Sequence, residues 1–72
     1  MTWQQRPSLT PTEREILTLM RRGLKNSEIA AERFVTLGTL RSQIKPLYRK
    51  LGASDRAAAL EAAARLRLLG EG

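Results

Sequence analysis

The sequence predicts an all-α fold, a compact four-helix domain, and three observations predict it. Apolar residues recur at three- and four-residue intervals through four separate segments, the period of one face of an α-helix. Capping residues stand where these segments begin, and Gly23, Gly52 and Gly70 stand where three of them should stop. With 72 residues and no cysteine, the chain lies near the lower size limit for folding without staples, so packed helix faces must hold it together. The helices are expected at about 11–22, 27–33, 37–50 and 55–69, the middle two forming a helix-turn-helix.

Residues 1–8 carry Trp3, two glutamines, Arg6 and Pro7 without periodicity and read as a flexible arm, with the folded domain expected over 9–70. Thr10-Pro11-Thr12-Glu13 is a capping box with proline at the first helical position, a specific start signal. Leu9 can staple that start, and Ile16, Leu17, Met20 and Leu24 form the inward face up to the stop at Gly23. Asn26 is expected to cap the short second helix, with Ile29 and Ala30 inward and Ala30-Ala31 small enough for close helix crossing. Phe34 and Val35 make the turn. Thr36 caps the third helix, whose Leu40, Ile44, Leu47, Tyr48 and Leu51 form one apolar stripe. Ser54 is expected to cap the fourth helix, with Asp55 favoured by the helix dipole. There Ala57, Leu60, Ala64 and Leu68 are assigned to the core. Ala59, Ala62, Ala63, Leu66 and Leu69 form a second small-residue strip, which reads as a dimer contact.

Charge is distributed unevenly. Arg33, Arg41, Lys45, Arg49 and Lys50 fall between residues 33 and 54 with no acid among them, while the remaining eight basic and seven acidic residues nearly cancel. Most of the net charge of +6 therefore sits on or beside the third helix, whose outward side carries Arg41, Ser42, Lys45 and Arg49. A helix anchored by leucines and armed outward with cations has the form of a major-groove reader. Arg41 can fork onto guanine O6 and N7, Lys45 can donate to guanine or phosphate, and Ser42 is short enough to read through water. The Thr36 and Thr39 hydroxyls form a phosphate seat at the helix start.

Leu9-Thr10-Pro11, Glu13, Glu15-Ile16-Leu17, Gly23-Leu24, Asn26, Glu28-Ile29-Ala30, Gly38-Thr39-Leu40, Tyr48-Arg49-Lys50-Leu51-Gly52 and Arg56-Ala57 follow one another without a gap. In this order the chain resembles the LuxR-type helix-turn-helix domain, the DNA-binding effector domain of many bacterial transcription regulators, over about Leu9 to Leu66. The resemblance implies base contacts in the major groove from Arg41, Ser42 and Lys45, and phosphate contacts from Asn26, Thr36, Thr39 and Arg49. It also implies a homodimer through the fourth helix, at Ala59, Ala62, Ala63 and Leu66. The partners it implies are duplex DNA, a second copy of the chain and RNA polymerase. Four positions depart from the pattern. Pro46 interrupts the reading helix, where it removes a bond to the Ser42 carbonyl, so a kink is expected on the outer side. Arg33 replaces an apolar core residue, a space Phe34 is expected to fill. Ser27 replaces a common basic residue. Leu37 is expected to be exposed at the helix entrance, with a thymine methyl as its partner.

The leading expectation is sequence-specific duplex DNA binding by a cytoplasmic transcription regulator. The alternative, supported by Pro46, Arg33 and Ser27, is a degenerate helix-turn-helix that serves protein interaction or dimerisation without reading DNA. Membrane-surface binding by the fourth helix ranks third, since Arg65 and Arg67 are its only outward cations. An enzyme ranks last: histidine and cysteine are absent and the carboxylates are scattered, so no metal, cofactor or small-molecule ligand is expected.

Overall fold

The computed structural model describes residues 8–66. Four helices follow one another there: α1 (Pro11–Arg21), α2 (Asn26–Glu32), α3 (Leu37–Leu51) and α4 (Arg56–Arg65). Each boundary lies within one residue of expectation, except that α4 ends at Arg65 with Leu66 as its cap. The expected arm, apart from Ser8, and the expected run of α4 to residue 69 lie outside the described residues.

The capping box of α1 forms as the sequence requires. The Thr10 hydroxyl accepts from the Glu13 N–H at 3.1 Å and the Glu13 carboxylate accepts from the Thr10 N–H at 3.0 Å. Two other starts differ from expectation. Lys25, not Asn26, is the cap position of α2, and its N–H donates to the Glu28 carboxylate at 2.7 Å. Asp55, not Ser54, caps α4, accepting from the Ala58 N–H at 2.8 Å. A carboxylate accepts a charge-assisted bond at a helix start, which a serine hydroxyl does not.

Three of the helices end in the same way. At Gly23, Phe34 and Gly52 the chain turns left-handed, with φ of 93°, 59° and 66°. The following N–H reaches back to the carbonyl five residues earlier: Leu24 to Leu19, Val35 to Ala30, Ala53 to Tyr48. This closure favours glycine, because a Cβ is strained at positive φ. Phe34 occupies the position regardless, and its side chain is 94% exposed. Phe34 therefore does not fill the space left by Arg33. Arg33 does so itself, lying half-buried with its guanidinium paired to Glu15 of α1 and near the Thr12 hydroxyl at 3.4 Å.

Ile16, Leu17 and Met20 of α1, Ile29 of α2, and Leu40 and Leu47 of α3 are fully buried at the centre. Each contributes about 1.5–3 kcal/mol on leaving water. Leu9 is buried at the entrance, as a staple should be. α4 closes the core against α1 and α3 with Ala59, Ala62 and Ala63, all 4% exposed or less. The two faces of α4 are thus exchanged relative to expectation. Ala57 and Ala64, assigned to the core, are exposed, whereas Leu60 is half-buried and packs against the core as expected. Small side chains face inward because they let α4 approach α1 closely, and an alanine-rich helix carries no hydrophobic period to reveal which side does so. Ala59, Ala62 and Ala63 are consequently unavailable as a dimer surface; Leu66 is half-buried and packs at the core's edge.

Candidate nucleic-acid interface

α3 is positioned from below. Leu40, Ile44, Leu47 and Leu51 are buried, Tyr48 is half-buried, and the helix runs unbroken through Pro46. Pro46 is half-buried rather than outward, lining a cleft with Ser42 and Gln43 against Thr10, Thr12 and Glu13 at the start of α1. Leu37, expected in solvent, is half-buried and packs against the core.

The opposite flank carries the predicted cations. Arg41, Ser42, Lys45 and Arg49 are all exposed. Arg41, Lys45 and Arg49 follow at intervals of four along about 12 Å of helix axis. No ion pair or hydrogen bond engages these three side chains among the described residues. The other two basic residues of this region are committed elsewhere. Arg33 pairs with Glu15, and the Lys50 ammonium donates to the Glu13 carboxylate at 2.7 Å and to the Ser8 carbonyl at 3.1 Å. Glu13 is itself buried, and burial works to raise its pKa. The Lys50 bond and charge and the Thr10 backbone and hydroxyl bonds together outweigh this and hold it below its ordinary value.

At the start of α3 the Thr36 hydroxyl accepts from the Thr39 N–H at 3.0 Å and donates to the Thr39 hydroxyl at 3.0 Å. Thr36 therefore caps the helix, and the Thr39 hydroxyl stands exposed beside it. Asn26 stands at the start of α2, half-buried, and its side-chain carbonyl accepts from the Arg56 guanidinium at 2.8 Å. The same guanidinium donates to the Leu24 carbonyl. Arg56 was not singled out by sequence reasoning beyond its match to the family pattern. A separation of 30 residues from Asn26 leaves no local signal of the pairing.

A short helix and a longer one bearing an unpaired cationic flank, joined by a tight left-handed turn and braced by α1 and α4, define a helix-turn-helix domain of the DNA-binding regulatory class. The chain belongs to the LuxR family of bacterial regulatory proteins, whose family model matches residues 7–63. It is 46% identical over 63 residues to a probable transcriptional regulatory protein NarL of Mycobacterium tuberculosis, covering 88% of this chain and 29% of that protein. It is 41% identical over 58 residues to a putative HTH-type transcriptional regulator of Mycobacterium bovis, covering 81% of this chain and 7% of the other. Among solved structures it resembles the response regulator ChrA of a heme-sensing two-component system. That match has a TM-score of 0.83 and 37% identity, over 90% of this chain and 32% of ChrA. The chain thus spans less than a third of the length of these relatives. Among the described residues no helix is long and apolar enough to cross a membrane.

Proposed function

We propose that this chain binds duplex DNA sequence-specifically as the reading domain of a bacterial transcription regulator, with α3 in the major groove. The observation that carries the proposal is the stripe Arg41–Lys45–Arg49, exposed and unpaired on a helix whose other side is locked into the core. Arg41 and Lys45, with Ser42 between them, are assigned to base edges. Arg49, Thr39 and Asn26 are assigned to phosphates, where they set register rather than sequence choice. Two copies pair through the outward side of α4 that carries Ala57 and Ala64, in place of the inward alanines.

The competing reading, a helix-turn-helix that pairs without reading DNA, drew on Pro46, Arg33 and Ser27. α3 is continuous through Pro46 and Arg33 is absorbed in an ion pair, so two of its three supports are gone. The test is to select bound sites from a random duplex pool and then titrate the selected duplex. Arg41→Ala should weaken binding to the selected site by roughly 1–3 kcal/mol and relax one base position. Equal loss on selected and random duplexes at matched salt would remove Arg41 from base reading.

A further inference from the structure

Arg56 is the first residue of α4, at the positive end of the helix dipole, where a cation is disfavoured. Its presence there is therefore not explained by helix propensity. The side chain is half-buried and reaches across the fold to the junction of α1 and α2, where it donates to the Leu24 carbonyl and, at 2.8 Å, to the Asn26 side-chain carbonyl.

An asparagine amide is ambiguous: rotating it by half a turn exchanges an acceptor for two donors. Against a phosphate only one of the two orientations is attractive. Arginine has donors and no acceptor, so it tolerates only the amide oxygen facing it. A charge-assisted bond to that oxygen therefore fixes the amide with its NH2 group turned away from Arg56. No other partner engages the Asn26 side chain among the described residues.

From this geometry we infer that Arg56 is a positioning residue for DNA binding, holding the Asn26 amide in the one orientation that donates to a phosphate oxygen. The inference rests on the proposed reading in which Asn26 meets the DNA backbone. It also places this phosphate contact under the control of α4, one residue before the strip assigned to pairing.

Fluorescence anisotropy on a mixed-sequence duplex of about 24 base pairs tests it, since a phosphate contact does not depend on sequence. Asn26→Ala and Arg56→Ala should each weaken binding roughly five- to tenfold, and the double variant should be no weaker than either alone. The dependence of affinity on salt should keep its slope in Arg56→Ala, because a guanidinium acting through a neutral amide releases no counterion of its own. Asn26→Asp guards against a folding artefact: it preserves an acceptor for Arg56, so its melting temperature should not fall, while binding drops at least as far as in Asn26→Ala. Where Arg56→Ala melts below the assay temperature, its anisotropy is recorded below its melting point, and Asn26→Asp reports on the amide alone. Additive losses in the double variant, a slope reduced by about one in Arg56→Ala, or wild-type affinity in Asn26→Asp would each overturn the role of Arg56. Wild-type protein that binds no duplex at all would instead overturn the DNA reading beneath it.

Discussion

Two residues behave contrary to their type. Phe34 is a bulky side chain at φ 59°, fully in solvent, in a closure that Gly23 and Gly52 complete without a side chain. A left-handed conformation costs an ordinary residue about 1–2 kcal/mol. Phe34→Gly should therefore raise the urea midpoint by the equivalent of about 1 kcal/mol, less than the full strain because glycine also gains freedom in the unfolded chain. A lower midpoint would mean the ring makes a stabilising contact. Glu13 is a carboxylate in a core position, made tenable by Thr10 and Lys50. Since its pKa is lowered in the folded state, the stability it contributes is complete above its ordinary value of 4.5 and lost as pH falls through the lower folded value. Melting temperature should be level from neutral pH down to about pH 5 and then fall. Glu13→Gln should remove roughly 1–3 kcal/mol at neutral pH and flatten that acid limb. An unchanged acid limb would show that another carboxylate governs it.

At the scale of elements, what could be read in advance was what is local. The capping box at Thr10, the stops at Gly23 and Gly52 and the apolar stripe of α3 are each decided within a few residues, and all three hold. The cationic flank was legible for the same reason, since positions 41, 45 and 49 must share a face once 40, 44, 47 and 51 are inside. The Lys50 and Arg33 pairings were not, because their partners lie 37 and 18 residues away. Nor was the orientation of α4, where alanine surrounds the axis and only docking against α1 decides which alanines are buried. The exchange of faces has a direct check. Ala62→Leu should destabilise the fold by roughly 1–3 kcal/mol through overpacking, whereas Ala64→Leu should stay within about 0.5 kcal/mol. The reverse order in chemical denaturation would restore the original assignment.

At the scale of the whole molecule, a small apolar centre is supplemented by three long-range polar ties: Glu13 with Lys50, Glu15 with Arg33, and Arg56 with Leu24 and Asn26. The first two withdraw basic side chains from solvent-facing duty and leave a narrow strip of three. Affinity for DNA should therefore fall steeply with salt, and Arg49→Ala should reduce the slope of log affinity against log salt by about one without altering the preferred site. A change in the preferred site would place Arg49 at a base edge instead. Because Arg41, Lys45 and Arg49 lie along one line on α3, the field on that side of the protein has a long axis. A polyanion exerts a torque on such a distribution before contact. The domain should thus approach a duplex already rotated, spending fewer of its encounters facing the wrong way.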